Sequence, residues 1–314
     1  MKRGFISFLT VPRLRLLRIS ALFCLILFCA GIRGALGEVS AADLGVEKEV
    51  WISIRTDNQA GSGTLADPFN GSNTRFDERL HALSANNTTN IHLHLLPGVF
   101  ETQGTLMWSP RSGWKIQGAG MLLTTVKLVN VNNNAYGVIA QPVNEFLSNI
   151  EVSDLTVDCN YSLANPNFAS AVALAGTRHV IRSVRAINAY GVYPISEAFI
   201  LSIAAGQGDG QGNLIENCEV SSFKGSYCTA ISFAGGVPFN DNLIGGIIRG
   251  NKVYDLHSSN RFSLCFAYGG GGGRGVIFEN NTSVRCDVPV NIDTGRSYNV
   301  VFRGNQFLVG CTRW

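Results

Sequence analysis

Ile248-Arg249-Gly250-Asn251-Lys252-Val253, Phe278-Glu279-Asn280-Asn281-Thr282 and Phe302-Arg303-Gly304-Asn305-Gln306-Phe307 are three versions of one segment. Upstream, the same segment reads as Ile215-Glu216-Asn217-Cys218-Glu219-Val220, Ile181-Arg182-Ser183-Val184-Arg185 and Ile150-Glu151-Val152-Ser153-Asp154-Leu155. The leading apolar residues, Ile150, Ile181, Ile215, Ile248, Phe278 and Phe302, stand 31, 34, 33, 30 and 24 residues apart. A second piece recurs between them, a short apolar alternation that mostly runs into glycine: Val172-Ala173-Leu174-Ala175-Gly176, Ile203-Ala204-Ala205-Gly206, Ile231-Ser232-Phe233-Ala234-Gly235, Phe266-Ala267-Tyr268-Gly269 and Val290-Asn291-Ile292. Alternation over four to six residues, rich in branched and aromatic types and bounded by Gly or Asn, is a strand signature.

A strand that recurs about every thirty residues, with no long helical stripe after residue 113, stacks on its own copy in the next period. The expected fold is therefore all-β, a right-handed parallel β-helix (a solenoid), with a β-sandwich of fortuitous spacing as the competing reading. Asn251, Asn281 and Asn305 share a register, where Asn can take a left-handed turn and bond its copy in the adjacent coil. This resembles the asparagine ladder of pectate-lyase-like β-helix proteins.

Residues 1–37 read as a signal peptide. Lys2, Arg3, Arg13, Arg15 and Arg18 precede the apolar stretch Ile19 to Ile32, and Ala35-Leu36-Gly37 supplies small residues for cleavage. The apolar core is too short to span a bilayer comfortably. Residues 38–112 then form an entry region. Val50 to Ile54 is a strand, Gly61 to Ser72 a loop, and Phe76 to Leu83 has helical spacing, expected as a short N-terminal capping helix over the open end of the solenoid. Residues 113–314 are the parallel β-helix proper.

Leu96-Pro97-Gly98-Val99-Phe100, Ile116-Gln117-Gly118-Ala119-Gly120 and Val152-Ser153-Asp154-Leu155-Thr156-Val157-Asp158 resemble segments of secreted right-handed β-helix proteins of the pectate-lyase-like superfamily, over roughly residues 50 to 314. The resemblance implies an architecture. It does not imply one reaction, because such folds host lyases, hydrolases, epimerases, adhesins and proteins without chemistry.

Charged residues are 15% of the chain and the formal net charge is +3, with no basic run after the leader, which argues against a nucleic-acid surface. Six cysteines follow the leader, Cys159, Cys218, Cys228, Cys265, Cys286 and Cys311. They permit disulfides in an oxidising compartment and equally serve as small core residues. No spacing suits structural zinc. His92 and His94 share a strand face but have no third ligand nearby in sequence, and they read as surface or cap contacts. The glycine-rich stretches Gly206 to Gly212 and Gly269 to Gly273 lack the Lys and Ser/Thr of a phosphate loop and read as turns.

Counting from each leading residue, the ninth position is Tyr190, Lys224 and His257 in successive coils, with Asp287 next if the register holds. Asn188, Ser222 and Asp255 occupy the seventh. With the apolar eighth position facing the core, the seventh and ninth face solvent. Tyr190, Lys224 and His257 are then the candidate catalytic residues, with Asn188, Asp255 and Arg261 as substrate-binding residues; a mixed polar column arising by chance is the competing reading.

Such a set suits β-elimination of a uronic-acid polymer: Lys224 or His257 as base, Tyr190 as acid, and Arg261 or calcium to neutralise the substrate carboxylate. Asp154 and Asp158 are a candidate calcium pair, with ordinary solvated aspartates as the alternative. A glycoside hydrolase would need paired carboxylates, and Asp293 stands alone. The outward residues of the glycine-ended strands, Ala173, Ser202, Ser232 and Ala267, are small and inert. The expectation is a secreted, periplasmic or cell-surface carbohydrate-active protein that meets a polysaccharide. A polysaccharide lyase is the first reading, a non-enzymatic glycan-binding, adhesion or envelope protein the competing one, and a hydrolase the third. Because Trp314 closely follows the last strand residues, the final coil is expected to be truncated or covered by another chain, which would make an oligomer.

Overall fold

A computed structural model describes residues 47–129, 137–141, 145–161, 168–191, 198–205, 210–234, 243–269, 273–293 and 297–308. The expected signal peptide, Cys311, the chain end and parts of both glycine-rich stretches lie outside them. The described residues form a right-handed parallel β-helix in which nearly every strand pairs in parallel with its copy one coil later. One sheet runs from Lys48–Ser53 through Ile91–Leu95, Lys115–Gly118, Glu151–Asp158, Val180–Gly191 and their successors to Val301–Arg303 and Gln306–Leu308. The other stacks Ile139–Ala140, Val172–Thr177, Ala198–Ala204, Cys228–Ala234, Leu264–Gly269 and Val288–Asp293. Between them lies one core filled by stacked Ile, Val, Leu and Phe side chains. The helix Arg75–Ala85 buries Phe76 and Leu80 in this core, with Phe76 packed 5.1 Å from the Phe100 ring and edge-on to Trp108.

Ile181, Ile215, Ile248, Phe278 and Phe302 are register partners, as their spacing implies. Ile150 is not in that row. Ile181 pairs with Val152, so the first period is two residues shorter than the apolar pattern suggests.

The coils turn at left-handed residues set five apart. Asn149, Arg178, Gly212, Gly245, Gly275 and Asn299 have positive φ; so do Asp154, Ser183, Asn217, Gly250, Asn280 and Gly304, each five further on; and so do Asn188, Ser222, Asp255 and Arg285, five further again in four coils. Asn, Asp and Gly predominate because they enter this region at least cost. In the middle corner Asn and Gly alternate for a steric reason. A Cβ on Gly250 would lie 2.5 Å from Asn217 Oδ1, and one on Gly304 2.1 Å from Asn280 Oδ1. The carboxamide of one coil therefore lies across a bare Cα of the next.

The ladder residues sit just after this corner and point inward, so the left-handed residue is Gly250, Asn280 or Gly304 and not the ladder Asn itself. Asn251 N and Nδ2 both donate to Asn281 Oδ1, at 3.1 and 3.0 Å, and Asn281 N and Nδ2 donate to Asn305 Oδ1 at 2.9 and 3.0 Å. Each of these bifurcated acceptors ties a side chain to the coil above, while Asn281 Nδ2 also donates to Ile248 O at 2.8 Å. Cys159, Cys218, Cys228, Cys265 and Cys286 are buried and form no disulfide among the described residues, which fits the core-filling reading of these five.

His179, fully buried, receives the Ile150 amide at Nδ1 (3.1 Å) and gives its own amide to Asn213 Oδ1 (2.9 Å). Burial pushes its pKa down to about 4 from 6.5. A depressed histidine contributes stability that is complete above pH 6.5 and lost as pH falls toward 4, because only the unfolded chain takes up the proton in that interval. Acidification across that window should cost about 3 kcal/mol through this residue, and His179→Gln should flatten that part of a urea-midpoint profile against pH. Asn281→Ala should lower unfolding free energy by about 3 kcal/mol in the same assay, since it strands a buried amide and a carbonyl.

Candidate functional site

Strand register brings the predicted column together. Tyr190 is the direct partner of Lys224. Glu219 and Val220 pair with Lys252 and Val253, a register that continues to set His257 beside Lys224, and the Ser259 amide donating to Gly225 O keeps the same offset. Leu256 pairs with Cys286, which sets Asp287 beside His257. Neighbouring members are one strand spacing apart, about 4.8 Å. Ala189, Leu256 and Cys286 at the eighth position are fully buried and Phe223 is half-buried. Lys224 and His257 beside that row face outward and Tyr190 is half-buried, but Asp287, expected to face solvent with them, is completely buried.

The geometry of the column is sharpest at His257. Its Nδ1 lies 3.0 Å from Oδ1 of Asp287, whose carboxylate is completely buried. Oδ2 of Asp287 accepts the Ser258 amide at 2.8 Å, the Ser258 hydroxyl at 2.9 Å and the Ser263 amide at 3.2 Å. Burial opposes ionisation of Asp287, but the Ser258 amide, His257, the Ser263 amide and the Ser258 hydroxyl together outweigh it and hold the pKa below the usual carboxylate value. An ionised Asp287 selects the Nδ1–H form of His257, leaving the Nε2 lone pair for chemistry on a ring whose side chain is 40% exposed.

The same carboxylate folds the loop that follows. Ser258 Oγ accepts the Phe262 amide at 2.9 Å, and Arg261, left-handed and exposed, donates its amide to Ser258 O at 3.1 Å. Phe262 stacks on Tyr227 with ring centroids 6.0 Å apart. Lys224 is exposed and its ammonium lies 5.8 Å from the Tyr161 ring centroid, while Tyr190 is half-buried against the core. Beneath the site, burial pushes the Cys228 thiol far up, so it is no nucleophile.

The remaining candidates are engaged elsewhere. Asn188 and Asp255 are left-handed corner residues, so a bend separates them from Tyr190 and His257. Asn188 donates to Asp158 Oδ1 at 2.9 Å, and Asp255 takes a two-pronged bond from Arg285 at 2.6 and 3.0 Å. Asp154 is itself a corner and accepts from Gln117 Nε2 at 3.0 Å, whereas Asp158 also accepts the Asn160 amide. The two aspartates are thus taken up by different partners, one at a bend and the other four residues beyond it.

Two faces of the solenoid are closed to charged chemistry. On one, Glu and Arg alternate from coil to coil: Glu151–Arg182 at 3.1 Å, Arg182–Glu216 at 3.9 Å, Arg249–Glu216 at 2.6 Å and Arg303–Glu279 at 2.9 Å. On the other, Ala173, Ser202, Ser232 and Ala267 form one row, as the alternation implies, and the last three are buried. Ser258 and Ser263 are the members of the site that sequence reasoning missed; only the folded loop shows that they converge on Asp287.

No protein-family model matches this sequence, and no curated protein matches it. Among solved structures it is similar to the A-module of the Azotobacter vinelandii mannuronan C-5 epimerase AlgE6, at 14% identity over 75% of this chain and 94% of that one, with a TM-score of 0.35. It is similar also to a 1,3-α-1,4-β-D-galactose-4-sulfate-3,6-anhydro-D-galactose-2-sulfate 4 galactohydrolase, at 15% identity over 79% of this chain and 61% of that one, with a TM-score of 0.45. Likeness this distant leaves the chemistry of the site to be argued from the chain's own residues.

Asp287→Ala should destabilise the protein by about 3 kcal/mol, because two amides and a hydroxyl lose a buried acceptor. Since the native pKa of Asp287 is depressed, its stabilisation is complete above about pH 4 and is lost as pH falls through the lower native value. Asp287→Asn should therefore remove the most acidic part of the stability profile, read from urea midpoints below that pH.

Proposed function

We propose that this chain is a carbohydrate-active β-helix protein that cleaves a uronic-acid polymer by β-elimination at the column of Tyr190, Lys224 and His257. The observation that carries the reading is the His257–Asp287 pair: a buried carboxylate on Nδ1 leaves Nε2 free at the surface as a base. His257 Nε2 takes the C5 proton, and that C–H electron pair becomes the C4=C5 double bond as the C4–O4 bond breaks. The departing oxygen takes the Tyr190 hydroxyl proton. Arg261 pairs with the substrate carboxylate, which makes the C5 proton acidic, and Lys224 offsets the charge that develops in the transition state. The exposed Phe262 ring and its partner Tyr227 offer an apolar platform for a sugar face.

A polysaccharide substrate implies work outside the cytoplasm, in accord with the signal peptide read at residues 1–37. Among the described residues no helix is long and apolar enough to cross a membrane. Glycan binding without cleavage is the second reading, favoured by the same aromatic platform. The test is ultraviolet absorbance of unsaturated uronate product from polymannuronate, polyguluronate, polygalacturonate and glucuronate-containing polymers, each with calcium and with chelator. The lyase reading expects product from one of them, with His257→Asn reducing the rate by about 100-fold or more. Retention of a polymer on the immobilised protein with no product from any would replace it with the binding reading.

A further inference from the structure

The first coils carry a second cluster, far in sequence from the column above. His92 and His94 project from one face of the strand Ile91–Leu95, and the parallel strand Lys48–Ser53 sets Glu49 directly beside His92 and Trp51 beside His94. Nδ1 of His92 lies 3.5 Å from Oε2 of Glu49 and 3.8 Å from Oε1 of Glu47, and Nε2 of His94 contacts the same Glu49 oxygen. One ligand atom from each of Glu49, His92 and His94 falls within 4.8 Å of the other two.

The hydrogen bonds around the cluster decide what it can hold. Gln117 spends its amide N–H on Asp154 Oδ2 at 3.0 Å, which turns its carbonyl oxygen to His92 Nε2 at 2.9 Å. A carbonyl accepts only, so His92 carries its proton on Nε2 and presents a lone pair at Nδ1. That lone pair faces Glu49 Oε2 and Glu47 Oε1, and Glu47 Oε1 is shielded from solvent with no hydrogen-bond partner among the described residues. Lys115 does not relieve the crowding, because it pairs with the other Glu47 oxygen at 2.9 Å. His94 can donate from Nε2 to Glu49, but no donor among the described residues meets His92 Nδ1 or Glu47 Oε1, and lone pairs that converge in this way are held together by a cation. The rings are also oriented in advance: His94 stacks on Trp51 at 3.9 Å with planes 9° apart, and a hydrogen bond on the far nitrogen of His92 is the usual outer support of a metal-binding imidazole.

We propose that His92 Nδ1, His94 Nε2 and Glu49 bind a first-row divalent transition ion of the zinc class, with Glu47 Oε1 at or beside the fourth position. Two imidazoles and a carboxylate suit zinc, whereas calcium and magnesium take oxygen ligands. Gln117 and Asp154 act as positioning residues through His92. The proposal does not depend on the elimination reading, since it shares no residue with the column.

The test is titration of the full chain, free of any affinity tag, with zinc by calorimetry and with cobalt(II) by visible absorption. The expected result is one ion per chain, cobalt bands of four-coordinate intensity, and a melting temperature that rises with zinc. The double variant His92→Asn/His94→Asn should abolish binding. Glu49→Gln, at an exposed position, should weaken it at least tenfold, and Gln117→Ala should weaken it about tenfold through the outer support alone. If the double variant does not fold, Glu49→Gln decides. No zinc or cobalt binding by the folded chain, or binding left unchanged by Glu49→Gln, would overturn the assignment.

Discussion

Everything in this molecule depends on coil-to-coil register, and register is held by left-handed corners that recur every five residues. A corner of that hand ends one extended face and starts the next, so the same number of residues stands between bends in each coil and strands stack without slippage. The asparagine ladder adds a side-chain lock just inside the middle corner, where Asn251, Asn281 and Asn305 each receive or give two bonds across the coil boundary. Because every buried amide of the ladder is satisfied by the neighbouring coil, a one-residue slip would strand several polar groups in the core at once.

That dependence explains what sequence can and cannot deliver here. The rows from Ile215 to Phe302 were legible because Asn or Gly stands two residues after each apolar anchor, with Ser183 in that place after Ile181. Ile150 misleads for a physical reason: Ile150 and Val152 are both apolar, two apart and fully buried, so alternation alone cannot tell which one meets Ile181. The choice is made by the corner at Asp154, and an Asp in a strand-like run gives little sign that it is left-handed. The ladder shows the converse, since Asn251 has the composition of a turn residue while its neighbour Gly250 makes the turn.

The two clusters differ in legibility by the same logic. Tyr190, Lys224, His257 and Asp287 sit at a constant offset from the anchors, so counting alone brings them into one column. What counting could not supply was the loop after His257, where Ser258 and Ser263 close on Asp287 and make its burial tolerable. In the first coils, Glu49 lies beside His92 only because the entry strand stacks in parallel on the next one. That neighbour precedes the recognisable repeats and has no anchor from which to count.

The distribution of charge over the faces argues for where a polyanion could dock. Along the Glu151–Arg182–Glu216–Arg249 face each cation already has carboxylate partners in adjacent coils, so an anionic polymer would have to displace ion pairs for little gain at such exposed sites. The small-residue row of the opposite sheet has no cations to offer. At the corner between the sheets, Lys224 lies over an aromatic ring with no carboxylate partner among the described residues, and Arg261 stands on an exposed loop anchored by a buried aspartate. A carboxylate-bearing sugar placed there meets positive charge without breaking an existing pair, and it meets that charge beside the one imidazole among those of the column's coils that a buried carboxylate has already oriented.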